Sequence, residues 1–251
     1  MTKASETSGN EARVSAPRLL GSETKDGPST DKRRPILKVR RDGTYDPDCA
    51  RCPRLAGFLR EIRTHHPDYW ARPVPSFGAA DARIVIVGLA PGLHGANRTG
   101  RPFTGDHAGI LLYRTLHEAG LATRSHSESA DDGLGLRNAR IINSVKCVPP
   151  QNKPLPAEIR ACNAYLAAEL GRLRRVRVAL ALGRIAHDAF LMATGRRRGE
   201  FPFAHGREHA LGGGAYLIDS YHCSRYNTST GRLTASMFKT VIARACELAG
   251  V

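Results

Sequence analysis

Four short, almost unbroken apolar runs, at residues 84–89, 139–145, 176–182 and 216–221, constrain the fold of this chain more than any other feature. Each is bounded by turn residues. The first, third and fourth are followed by segments with helical spacing, at about 108–119, 185–193 and 234–248, and the second leads into 156–173. Strands that are apolar on both faces and alternate with helices are the mark of a parallel sheet covered on each side. The expected architecture is therefore α/β, a three-layer α/β/α domain with a central, mainly parallel sheet of four strands. In such sheets ligands bind beyond the carboxyl ends of the strands. Upstream, Leu55, Phe58, Leu59 and Ile62 recur at helical spacing and predict an amphipathic helix that ends before Pro67.

A chain of 251 residues fits one such domain with an appendage. Residues 1–45 are rich in Ser, Thr, Gly, Lys and Glu, so they bury too little to repay ordering and read as a disordered basic and polar tail. The basic run Lys32-Arg33-Arg34 near its end could touch a DNA backbone, although such runs are more often only solvated. The domain proper is expected over residues 46–251. The net charge is +15. Residues 49–251 hold 28 of the 38 Lys and Arg and 15 of the 23 Asp and Glu, a surplus of 13, so the basic character belongs to the folded part. That surplus suits a polyanion such as nucleic acid or an anionic membrane surface. No run of about 18 apolar residues is present, and the N-terminus lacks the apolar core of a secretory signal. A soluble cytoplasmic protein with no membrane partner is expected. Six cysteines in an intracellular chain then point to metal binding or plain core packing.

The first strand runs into a loop at residues 88–106, whose first fifteen residues contain six glycines and prolines, so its backbone can approach a ligand closely. It matches neither a P-loop nor a dinucleotide fingerprint. The fourth strand runs into residues 221–234, where His222 is followed by hydroxyl, amide and guanidinium side chains suited to phosphates.

Together these stretches resemble the uracil-DNA glycosylase superfamily, and within it the family 5 (type b) enzymes. The motif GLAPGxHGANRTGRPFTGD is matched from Gly88 to Asp106, and H-x-S-x-x-N-x-x-T-G-x-L-T from His222 to Thr234; Tyr69 to Pro75 also looks like that family. The resemblance spans roughly residues 46–248. Two departures stand in the second motif, Cys223 for the usual Pro and Arg225 for Pro or Gln. The resemblance implies a bacterial, nucleoid-associated monomer that acts on DNA containing uracil or other deaminated bases such as hypoxanthine. It would flip the base out, hydrolyse the N-glycosidic bond and leave an abasic site. Lyase activity is not expected, because neither motif has a Lys to form a Schiff base.

Roles follow from the same resemblance. Gly88, Leu89, Ala90, Pro91 and Gly92 would form the turn around the base, with Phe103 stacking on it. The position where the best-known relatives carry a water-activating Asp or Asn is Ala90, so Asp106 would supply the anion near the sugar, His222 a neutral hydrogen-bond donor to the departing base, and Asn143 a base-facing amide. Gly92 stands where uracil-only enzymes place an aromatic ring, which implies a roomier pocket. Ser224, Arg225, Asn227 and Arg232 would contact DNA, and Tyr226 is the candidate to fill the gap left by the flipped base. Cys49 and Cys52 form a C-x-x-C pair, whereas Cys147 and Cys162 lie far apart; structural zinc usually takes two tight pairs, so zinc is the weaker choice. Relatives in families 4 and 5 carry a [4Fe-4S] cluster on a similar arrangement, which implies that role for Cys49, Cys52, Cys147 and Cys162.

Two other readings stand beside this one. A non-catalytic iron-sulfur protein that binds DNA and senses damage would not need Asp106 with His222. A relative that traps its product on a loop histidine would need an inserted Arg-rich segment after Phe103, which is missing, although His107 follows Asp106 directly.

Overall fold

The computed structural model describes residues 46–251. The expected tail at 1–45 and its basic run lie outside the described residues. The central strands are β2 (Ile84–Gly88), β3 (Ala139–Asn143), β4 (Val178–Leu182) and β6 (Ala215–Ser220). They pair in parallel in the order β3-β2-β4-β6, with Ile84 opposite both Ala139 and Val178. These are the four apolar runs, with boundaries that differ by one or two residues.

The expectation of a four-stranded sheet is corrected: the sheet is mixed and has six strands. A two-residue strand, β1 (Phe77–Gly78), adds antiparallel to β3, and β5 (Glu208–Gly212) adds antiparallel to β6. Both are edge strands, and an edge needs only one buried face. β5 accordingly alternates, with His209 and Leu211 inward and Glu208 and Ala210 exposed. β1 is too short to carry any periodicity.

Alternate residues of the parallel strands serve the two faces of the sheet. Ile84, Ile86, Ile141 and Ile218 pack against α3 (His107–Glu118) and α7 (Ala235–Ala249) through Leu112, Leu116, Phe238 and Ile242. Val85, Val87, Ile142 and Leu217 pack against α4 (Pro156–Arg172) and α5 (Arg184–Ala193) through Leu166, Leu170 and Phe190. All of these are nearly or fully buried, so truncating any of the larger ones would cost about 2–5 kcal/mol. A third cluster lies beside the sheet, where Leu55, Leu59 and Ile62 of α1 (Pro53–His65) meet Val145, Cys147, Val148, Cys162 and Tyr165. No helix among the described residues is long and apolar enough to cross a membrane.

Candidate active site

The two long loops leave the carboxyl ends of β2 and β6 and meet above the sheet. The first is locked to β3 at its base: Ser144 donates its N–H and its Oγ–H to the Gly88 carbonyl at 2.9 and 2.8 Å, and Val145 N–H reaches the Leu89 carbonyl at 2.9 Å. It then forms one short helical turn, α2 (Ala96–Thr99), and ends at Asp106, the N-cap of α3, whose Oδ1 accepts the Gly109 N–H at 2.9 Å. The cap fixes one carboxylate oxygen and leaves Oδ2 facing the glycine turn. A Cβ on Gly95 would lie 2.5 Å from Oδ2, and one on Gly92 would touch it at 3.7 Å, so Gly95 is what lets this carboxylate come so close. Burial pushes the Asp106 carboxyl above the ordinary carboxylate range, while the N–H groups of Gly109 and Ala108 and the nearby His107 pull it back down.

Phe103 holds a left-handed backbone (φ 53°), a costly conformation for an aromatic residue that the surrounding loop enforces. Buried Arg101 is part of that enforcement. Its guanidinium donates to Thr104 Oγ1 at 2.9 Å and to Ser127 Oγ and Asp132 at 2.6 Å, and the resulting pair, with the Leu134 and Glu128 N–H groups, holds the Asp132 carboxyl far below its ordinary value against the desolvation that opposes it. The Phe103 ring lies 5.9 Å from the His222 ring at an interplanar angle of 30°. Asn143, the last residue of β3, is buried beneath them, and its Oδ1 has no hydrogen-bond partner. That oxygen lies so near Gly88 that any side chain there would collide with it. An orphaned buried acceptor at a strand end beside an aromatic ring is a demand for a donor on a ligand.

His222 follows β6 and is half-buried. Burial lowers its pKa to about 4, so the imidazole is neutral at physiological pH. Its carbonyl accepts the Asn227 Nδ2–H at 2.8 Å. The residues after it form a helical turn, α6 (Arg225–Ser229), N-capped by Ser224. A helix was not expected in this segment, because its apolar residues are too few to reveal one. Arg225 is exposed, and Tyr226 at 70% exposure is the most open large aromatic side chain of the domain. Arg232 instead lays its guanidinium 4.5 Å over the ring of Tyr221. His107 Nε2 and Thr228 Oγ1 lie 3.0 Å apart, a clasp between the two loops that no local spacing announced.

The structure thus brings Asp106 against the glycine turn, Asn143 and Phe103 against Gly88, and His222 against Phe103, in one site followed in the chain by the exposed Arg225 and Tyr226. Cys223 is fully buried beside it, its thiol pushed up to about 12 chiefly by burial.

Cys49, Cys52, Cys147 and Cys162 line a separate cleft with Leu55, Pro73, Val145 and Tyr165. All four are free thiols. Burial and mutual repulsion raise the Cys52 thiol to about 11, and burial raises those of Cys147 and Cys162. Four thiolates gathered in an apolar cleft need a cationic centre to neutralise them. The Lys146 N–H donates to Cys162 Sγ at 3.3 Å.

Known proteins match the same stretch. A family model described as the uracil DNA glycosylase superfamily matches residues 75–245. A type-5 uracil-DNA glycosylase of Thermus thermophilus is 51% identical over 208 residues, covering 81% of this chain and 94% of the relative. Those of Mycobacterium tuberculosis and Pyrobaculum aerophilum are 43% and 41% identical over 81% of this chain and 79% and 90% of their own. A type-4 uracil-DNA glycosylase of Thermotoga maritima is 37% identical over 115 residues, 45% of this chain and 52% of its own. Both long motifs fall within the matched region and touch through Phe103 and His222. The chain belongs to the uracil-DNA glycosylase superfamily, within its type-5 family.

Proposed function

We propose that this protein flips uracil, and deaminated purines such as hypoxanthine, out of DNA and hydrolyses the N-glycosidic bond, leaving an abasic site and cutting no strand. A desolvated carboxylate set against the glycine turn and a neutral imidazole beside an aromatic ring, where the two long loops meet, carry this reading. Breaking the bond builds positive charge on the sugar and negative charge on the base, so catalysis needs an anion at one end and donors at the other.

Asp106 supplies the anion. Its Oδ1 is held by the helix cap, and its Oδ2 faces the turn that would surround the sugar and the attacking water. His222, neutral, donates to the base oxygen that gains charge. Phe103 stacks on the flipped base, and the partnerless Oδ1 of Asn143 accepts the imide N–H that uracil offers. Ala90 and Gly92 leave the turn without a side chain that would reject larger bases. Selectivity then rests partly on how readily a base leaves its stack, which is easiest at mismatches. Tyr226 fills the vacated stack, while Ser224, Arg225, Asn227 and Arg232 hold the backbone. Non-catalytic recognition would need no half-buried carboxylate beside the sugar.

Cys49, Cys52, Cys147 and Cys162 would hold a [4Fe-4S] cluster, which when bound ties α1 to the segment after β3. The test is incubation of excess protein with duplexes carrying uracil, hypoxanthine, xanthine or a thymine mismatch. The expected result is free base and a strand that breaks only after alkali. Intact uracil, or strand cleavage without alkali, would overturn the proposal.

A further inference from the structure

Beneath the β6 loop, on the α5 side of the sheet, lies a buried network that the chemistry above does not use. His187 Nδ1 and Asp219 Oδ1 lie 2.6 Å apart, and His187 Nε2 is 2.8 Å from the Phe201 carbonyl. Asp219 Oδ2 faces His209 Nε2 at 3.3 Å and accepts the Ala204 N–H at 3.3 Å. Both His187 nitrogens and both carboxylate oxygens are engaged, so the cluster closes on itself. What it gathers is backbone: Phe201 and Ala204 through side chains, and Gly206 and Arg207 through main-chain bonds to Asp219 at 2.8 and 3.0 Å.

The segment so pinned carries His205. Its ring stacks on Tyr221 at 5.0 Å and 16°, and its Nδ1 accepts the Tyr221 N–H at 3.1 Å. An accepting Nδ1 bears no hydrogen, so this ring is neutral with its proton on Nε2, and its burial favours the neutral form. Tyr221 also lies under the Arg232 guanidinium and immediately precedes His222.

We propose that His205 is a positioning residue for His222: by accepting the Tyr221 N–H and stacking on its ring it fixes the backbone from which His222 projects, and the His187–Asp219–His209 network holds His205 in place. The proposal rests on the reading of His222 as the donor to the departing base. A donor displaced by about 1 Å loses much of its effect, so the consequence falls on the chemical step and not on DNA binding.

Three substitutions separate the contributions. His205→Ala removes ring and acceptor, His205→Phe keeps the ring, and His205→Asn places an amide oxygen where Nδ1 stands. Single-turnover uracil release and affinity for abasic duplex are measured for each, with His222→Ala beside them. The expectation is that Ala and Phe slow release by about 10-fold or more with affinity held within about 2-fold, and that Asn recovers most of the lost rate. Wild-type rates in His205→Phe, no recovery in His205→Asn, or affinity falling in step with rate would overturn the proposal. His222→Ala at wild-type speed would overturn the leaving-group reading and this proposal with it, whereas a slow His222→Ala with an unimpaired His205→Phe would overturn this proposal alone.

Discussion

Replacing Asp106 by asparagine separates what this residue does for folding from what it does for chemistry. Its Oδ1 caps α3, and Asn caps as well as Asp does, so the bond to the Gly109 N–H survives the change. The charge does not. Burial raises the carboxyl of Asp106 in the folded protein, so the folded state binds its proton more tightly than the unfolded state. Stability is therefore lost as pH rises from the unfolded value, about 3.9, through the raised folded value, and it stays lost at pH 7. Asp106→Asn removes that burden and should be at least as stable as the wild type at pH 7, with the advantage vanishing below about pH 4. Asp106→Ala loses the cap as well and should fall about 1 kcal/mol below Asp106→Asn. Excision should behave oppositely: without the anion, single-turnover uracil release drops on the order of 100-fold or more, while DNA affinity is unchanged or tighter. Urea unfolding at pH 4 and 7 reads the first effect and rapid-quench release the second. An Asp106→Asn protein that is less stable than the wild type at pH 7, or that releases uracil at the wild-type rate, would refute the reasoning.

Other consequences are equally direct. Cys147→Ala should lose the brown colour of a thiolate-bound cluster and, by opening a closure between α1 and the distant α4, lower the melting temperature by roughly 10 °C; a colourless wild type with one zinc per chain would contradict it. Arg225→Ala should reduce the slope of log affinity against log salt by about one phosphate contact, and an unchanged slope would place this side chain away from the backbone. Tyr226→Ala should impair excision from duplexes more than from single strands, and equal losses would argue against a wedge. The His222 ring should remain neutral when followed by nitrogen NMR from pH 8 to well below 6.5, since its pKa is lowered to about 4; titration near 6.5 would contradict a desolvated site.

The parallel core was legible because strands buried on both faces must be apolar throughout, and β2, β3, β4 and β6 are the four such runs. β1 and β5 were not, since an edge strand two residues long, or one that alternates over five residues, leaves no distinct signal. The loops that meet at the site were legible as dense turn residues at strand ends. Within the first of them, Asp106 combines two roles, a cap with a local signature and a carboxylate whose desolvation depends on Gly92 and Gly95. What spacing cannot reveal is contact between segments far apart in the chain. The His107–Thr228 clasp joins residues 121 positions apart, and His187 meets Asp219 across 32. Arg232 illustrates the same limit: no spacing announces that its guanidinium lies over the ring of Tyr221.

On the proposed function, a neutral imidazole beside an aromatic ring assists departure of the base. The most direct measurement is the single-turnover rate of uracil release from a U·G duplex by His222→Ala, taken at enzyme concentrations that saturate the DNA. The expected rate is lower by about 100 to 1000-fold with unchanged affinity, as for loss of one preorganised donor to a developing anion. Release at the wild-type rate would contradict it.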